Sequence, residues 1–358
     1  MRPLDLLLVA GLVVPACAHP AEPAPPASTY QEALDRWAAV TGHYGVSASV
    51  ILADGRQWSG TAGKAGAVSL RPEHLISIAS ITKTMTGAVI LRLAEAGKLS
   101  LDDPISRWFQ PIANVDPAIT VRQLLNHTSG VANYTADPGF SAAIAADPGH
   151  RFTREELLQF IGPPAFAPGT RTQYTNTAFI LLGMVAERAG GQPIETRYAE
   201  LWDAIGEHEI WFPGPTAPPG PVATARTNQG EAEPLDRMAF FTGANTAFGM
   251  LATARAVAHW GRELFTGTIL TAGSQAAMRT LVPAAGNIPG ESGAGLGIRS
   301  YGYLGRTQFG HSGGSPYGNS LLLFDPATGI TVMVVMNQGA GADHFLLAPE
   351  LLRIAETQ

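Results

Sequence analysis

Cysteine occurs once in the 358 residues, at Cys17, so no disulfide can close within the chain. Lysine is nearly as scarce. Of 23 basic residues, only Lys64, Lys83 and Lys98 are lysine. No run of basic residues forms a stripe and the formal net charge is −6, which argues against nucleic acid as a partner. The nine histidines include no His-Glu-x-x-His or other metal-ligand spacing, and the glycine-rich stretch "GAGLGIRSYG" lacks the Gly-x-Gly-x-x-Gly spacing of a dinucleotide fold. No metal and no cofactor is therefore expected. No segment repeats at a fixed period. What the chain does have is 46% hydrophobic residues against 15% charged, the composition of a globular chain with a sizeable core.

The first 28 residues read as a targeting segment. Arg2 precedes an apolar run from Leu6 to Val14, too short to span a bilayer as a mature helix, and small residues follow. Two cleavage readings stand. Ala16-Cys17-Ala18 fits a small-x-small site that would leave His19 first. Val14-Pro15-Ala16-Cys17 resembles a lipobox, with Cys17 as the lipidated first residue and residues 1–17 removed or anchored. The lone cysteine standing at that position favours the second reading. Residues 18–29, rich in Pro and Ala, read as a stiff tether. Either way the chain is expected to be exported to the periplasm or cell envelope. It would touch a membrane only through a lipid on Cys17, and would be a secreted soluble protein without that lipid.

From residue 30 onward the pattern predicts an α/β fold of the α+β kind. "TYQEALDRWAAVTG" reads as a helix, and "GVSASVILADGRQWSGTAGKAG" as two strands about the Asp54-Gly55 turn. "SITKTMTGAVILRLAEAGKL" has helical spacing and ends near Gly97, and "TVRQLLNHTSGV", "TREELLQFIG", "TNTAFILLGMVAERAGG" and "TARAVAHWGRELFTG" read as further helices. Residues 206–235 are rich in Pro and Gly and read as a long loop. From about residue 294 strands return, and "ADHFLLAPELLRIAE" closes the chain as a helix. Strands joined by tight turns are antiparallel. The expected assembly is one antiparallel sheet of about five strands, built from residues 30–75 and 290–358. The two terminal helices cover it, an all-helical lobe of about residues 80–285 is inserted, and the active site lies between the lobes.

The chemistry-bearing candidates are three short motifs. In "SIASITKTM", Lys83 follows Ser80 by one helical turn, which puts both side chains on one face. A desolvated lysine amine loses its proton and can act on a serine hydroxyl, as arginine cannot. The competing structural reading is a serine helix cap with a solvated lysine. Tyr174-Thr175-Asn176 precedes an apolar helix, and His311-Ser312-Gly313-Gly314 lies on or beside a strand, at a glycine-rich edge where a substrate backbone could approach. Gly310-His311-Ser312-Gly313-Gly314 also fits Gly-x-Ser-x-Gly. That elbow needs a strand before it and a helix after it, whereas a hairpin follows here.

In this order, Ser80-Ile81-Thr82-Lys83, Tyr174-Thr175-Asn176 and His311-Ser312-Gly313 resemble the serine β-lactamase and penicillin-binding-protein superfamily, most of all its branch of class C β-lactamases, D-Ala-D-Ala carboxypeptidases and related esterases. The resemblance extends through "LLNHTSGV" and "FGHSGGSPYGNSLLLFDPATG" and covers residue 30 to the end. It implies a serine hydrolase acting on a small-molecule or peptide amide or ester. Ser80 would form an acyl-enzyme, and Lys83 and Tyr174 would move the proton, with Tyr174 drawn toward phenolate by positive charge. Asn176 would hold substrate and orient Lys83. The Ser80 and Gly314 N–H groups would form an oxyanion hole, and His311, Ser312 and Gly313 would bind substrate. Tyr134 is expected near the cleft, bordered by loops 134–150 and 206–235. His311 stands where many relatives carry lysine, which favours a peptidase or esterase over an efficient β-lactamase. A relative of this fold that only binds cell-wall peptide or a partner protein is the alternative.

Overall fold

The computed structural model describes residues 29–40, 42–286, 288–339 and 343–358. Cys17, both cleavage readings and the Pro/Ala tether up to residue 28 lie outside the described residues. The helices are α1 (Tyr30–Ala38), α2 (Thr82–Glu95), α3 (Val121–Leu125), α4 (Pro138–Ala146), α5 (Arg154–Leu157), α6 (Thr177–Gly190), α7 (Ile194–Asp203), α8 (Met238–Phe248), α9 (Ala254–Thr266), α10 (Ala272–Met278) and α11 (His344–Ala355). The strands are β1 (Gly45–Ile51), β2 (Gln57–Ala65), β3 (Val68–Ser69), β4 (Ile76–Ser77), β5 (Ile210–Trp211), β6 (Ala225–Thr227), β7 (Gly230–Ala232), β8 (Leu251–Ala252), β9 (Glu291–Ala294), β10 (Arg299–Tyr301), β11 (Gln308–Ser315), β12 (Gly318–Asp325) and β13 (Ile330–Met336). No helix among the described residues is long and apolar enough to cross a membrane.

The main sheet has the order β3-β2-β1-β13-β12-β11-β10-β9 and is antiparallel throughout. Its two chain ends meet at β1 and β13, from Val46↔Met336 to Ile51↔Thr331, so the first and last segments do form one sheet. The expected strands, about five, are found as β1 and β2 at the start and β10 to β13 from residue 294 on. The count is eight because β3 and β9 extend the edges with only two and four residues, too short to show an alternation.

Each face of the sheet is covered differently. The capping box of Thr29 and Glu32 starts α1, which joins α11 over Val46, Ala48, Leu321, Leu323, Val332 and Val334. The opposite face, with Leu322, Phe324 and Met333, packs on α9 and continues into the core of the helical region. Gly261 of α9 allows that approach, since a Cβ there would stand 2.7 Å from Leu322 Cδ1. Thus α9 belongs to the sheet's packing, although it falls inside the span expected for the helical lobe. At the centre of that lobe, α2 is buried at every position from Thr82 to Leu91, and α6 from Thr177 to Ala186. Helices buried on all sides sit in a core rather than on a surface. The N-termini of these two buried helices point the motif residues at one place.

Candidate active site

Ser80 lies in a single 3-10 turn, Ala79–Ile81, between β4 and α2. Ala79 holds φ 46°, a left-handed conformation that costs a non-glycine residue energy and persists where surroundings enforce it. Three bonds enforce it here. Thr82 Oγ1 donates to Ala79 O at 2.7 Å and accepts from Met250 N at 3.2 Å, while Ser320 Oγ donates to Ile78 O at 2.8 Å. Gly313 of β11 meets the same turn, and a Cβ there would stand 2.4 Å from Ile78 O.

Lys83 is fully buried. Its Nζ lies 2.8 Å from Asn176 Oδ1, 2.8 Å from Ala247 O and 3.2 Å from Ser80 Oγ. Burial drives its pKa well below the usual lysine value, and the nearby Arg299 guanidinium adds to the effect. A neutral amine has two N–H donors and one lone pair. The two carbonyl acceptors take the donors, so the lone pair faces the Ser80 hydroxyl. Tyr174 OH donates to the other side of Ser80 Oγ at 2.7 Å.

The positive charge near this group comes from a residue that the sequence reading passed over. Arg299, 3% exposed, places its guanidinium 4.6 Å from the centre of the Tyr174 ring and pairs with Glu291 at 2.5 Å. The loop closes on itself, because Tyr174 N donates to Ala285 O and Ala285 N donates to Glu291 Oε1. Nothing in "GLGIRSYG" distinguished this arginine from the others, since its burial is a tertiary fact. Even so, burial outweighs Arg299 at Tyr174, whose pKa is raised, so the phenol keeps its proton rather than resting as phenolate. His127, at φ 62°, packs its ring 4.6 Å from that of Tyr174 and was likewise missed within "LLNHTSGV".

His311 does not supply the expected cation. It is 1% exposed, with Nδ1 2.6 Å from Ser312 O, and burial together with the Arg299 guanidinium holds its pKa well below the usual histidine value. Arg299 already charges the site, so a second cation in the same dry space is disfavoured.

A cleft of about 690 Å³ opens above Ser80. Tyr174, Asn176 and Gly314 line it, together with Thr135, Phe140 and Ile144 and with Asn228, Glu231, Arg237 and Tyr317. Both expected loops therefore border it, though 134–150 contains α4 and 206–235 contains the β6–β7 hairpin rather than plain loop. Of the glycine-rich motif only Gly314 reaches the cleft. His311, Ser312 and Gly313 lie behind it as packed strand residues. Ser312 opposes Leu321, on the face that carries Tyr301, and a strand follows it, so the elbow reading also fails. Tyr134 is fully buried, its hydroxyl donating to Gly243 O at 2.5 Å, and Thr135 takes the place on the wall. No cluster of metal-ligating side chains occurs among the described residues.

Known proteins resemble the chain along most of its length. It is 34% identical to the esterase EstB of Burkholderia gladioli over 39% of this chain and 38% of that one. It is 26% identical to the D-alanyl-D-alanine-carboxypeptidase/endopeptidase AmpH of Escherichia coli over 60% of this chain and 56% of that one. The matches therefore span less than two thirds of either curated relative. Among solved structures, a D-stereospecific amidohydrolase from Streptomyces sp. superposes with TM-score 0.78 at 28% identity, covering 90% of this chain and 96% of the other. The D-amino acid amidase of Ochrobactrum anthropi SV3 does so with TM-score 0.82 at 25% identity, covering 92% and 97%. The family model described as Beta-lactamase matches residues 34–356, and the chain belongs to that family.

Proposed function

We propose that the chain is a serine hydrolase that cleaves small amides or esters through an acyl-enzyme on Ser80. The observation that carries this reading is the fully buried Lys83 amine, its pKa driven well down, 3.2 Å from Ser80 Oγ and held at 2.8 Å by both Asn176 Oδ1 and Ala247 O. Ser80 gives its proton to Lys83 as its oxygen bonds to the substrate carbonyl carbon. The N–H groups of Ser80 and Gly314 receive the oxyanion, a contribution of about 3 kcal/mol per donor. Tyr174, resting as a phenol on Ser80 Oγ, gives its proton to the departing nitrogen or oxygen and regains one from Lys83. Water entering by the leaving group's path reverses the steps and frees the acid. Arg299 stabilises the transient phenolate.

The esterase, carboxypeptidase and D-amino acid amidase among its relatives support a peptidase, amidase or esterase before a β-lactamase. The experiment is a panel of p-nitrophenyl esters, D-amino acid amides, a D-Ala-D-Ala peptide and nitrocefin, run with wild type and Ser80→Ala. Wild type should turn over at least one ester or amide and gain the mass of one acyl group from penicillin, and Ser80→Ala should do neither. Turnover that survives Ser80→Ala would overturn the proposal.

A further inference from the structure

Helix α8 contains one residue that no helix accommodates. Asn245 has φ 43° and ψ −133°, inside a run otherwise helical from Met238 to Phe248. That region of backbone space is nearly reserved for glycine. The turn at Asn245 changes where the next carbonyls go. A helix running past Gly249 would pair Thr246 O and Ala247 O with the N–H groups of Met250 and Leu251, but α8 ends at Phe248 and leaves both carbonyls in its unpaired last turn. Instead Met250 N donates to Thr82 Oγ1, and the two carbonyls leave the helix toward α2. Thr246 O accepts from Thr86 Oγ1 at 2.7 Å, and Ala247 O from Lys83 Nζ at 2.8 Å. Thr86 and Lys83 are three residues apart on one face of α2. The strained conformation is held by its side chain, whose Oδ1 accepts from Thr246 N at 3.0 Å and from Arg154 Nη1 at 2.9 Å, and Arg154 is itself paired with Glu187.

We infer that the left-handed turn at Asn245 is a positioning device for Lys83: by turning the Ala247 carbonyl out of α8 it fills the second N–H of the amine and so directs the lone pair at Ser80. The inference rests on the acyl-enzyme reading above. With Ala247 O withdrawn, one N–H of the buried Lys83 loses its acceptor, and the amine rotates to find another, carrying its lone pair away from Ser80. Asn245 touches no substrate and acts only through the backbone of the next two residues.

The test compares Asn245→Gly with Asn245→Ala. Glycine adopts φ 43° freely, whereas alanine favours a continuous helix. For a residue that merely supports a helix, alanine would be the better replacement. The positioning role predicts the opposite order. Asn245→Gly should acylate with penicillin within about twofold of wild type, and Asn245→Ala should lose about tenfold or more in the acylation rate constant with the preceding binding constant unchanged. Melting temperatures would be recorded for both, with rates measured below the lower one. If Asn245→Ala acylates as fast as wild type, or Asn245→Gly is as slow as Asn245→Ala, the inference is wrong. Should Asn245→Ala not fold, Asn245→Gly decides alone: a wild-type rate supports the turn, and a tenfold loss overturns it. Failure of the acyl-enzyme reading itself would appear separately, as wild type unlabelled at Ser80.

Discussion

At the scale of single residues, the site turns on the charge of one buried amine. Burial drives the Lys83 pKa well below the usual lysine value, and the neighbouring Arg299 guanidinium pushes it the same way. Arginine could fill much the same volume and reach the same acceptors, but it cannot give up its proton. Lys83→Arg should therefore lower the acylation rate by about 10²–10⁴, the usual worth of a general base. A penicillin-labelling time course would measure it. The pH dependence follows with the same sign. Protonation of Lys83 removes the lone pair, so labelling rises with pH through the lysine's lowered pKa and levels off well below pH 10.5. Linkage adds that the unfolded chain, with an ordinary lysine, binds the proton more tightly. As pH falls from above 10.5 toward the lowered folded-state pKa, the burial of Lys83 subtracts progressively from stability. A rate that keeps rising up to pH 10.5 would show that the amine rests charged.

At the scale of elements, the strands and helices that show a clear period were legible in the sequence, and those set by tertiary context were not. The β1–β2 hairpin about Asp54-Gly55, α2, α6, α9 and α11 appear close to where the pattern places them. Helix α8 does not announce itself, because "MAFFTGANTAF" mixes glycine, threonine and a strained asparagine that only the packing on α2 and α6 explains. The segment of α4 begins at Pro138 after an Asp137 cap, a start signal submerged in a stretch that reads as loop. The motif glycines were legible as glycines but not in their role. Gly313 was expected to admit substrate, and it admits the Ser80 turn instead. A Cβ there would lie 2.3 Å from Ser320 Oγ, 2.4 Å from Ile78 O and 3.0 Å from Ala79 Cβ. Gly313→Ala must push β11 off that turn and break the Ser320–Ile78 bond. The expected loss is about 1–3 kcal/mol of stability with a fall in acylation rate, read by thermal melting and by labelling. An alanine variant with unchanged stability and rate would mean that β11 does not brace the turn.

At the scale of the whole molecule, the candidate catalytic group is assembled from five separated parts of the chain. Ser80 precedes α2 and Lys83 lies in its first turn, Tyr174 and Asn176 precede α6, Ala247 lies in the last turn of α8, Arg299 in β10 and Gly314 in β11. None of the terminal helix contributes a side chain to it. Yet α11 covers β12 and β13, and β12 supplies the Ser320 bond to the Ser80 turn, while α9 ties the other face of the sheet to the helical core. If these layers fold as one unit, damage under α11 is felt at Ser80 only through global unfolding. Leu351 is fully buried among the residues that α11 packs on the sheet. Leu351→Ala should cost roughly 2–5 kcal/mol of stability, leaving the acylation rate below the transition near that of wild type. Loss of Ser80 labelling on heating should track loss of the near-ultraviolet circular dichroism signal at the same, lowered temperature. Labelling that outlasts the loss of that signal would mean that the helical core holds Ser80 and Lys83 together without the sheet, and that the inserted lobe is an independent cooperative unit.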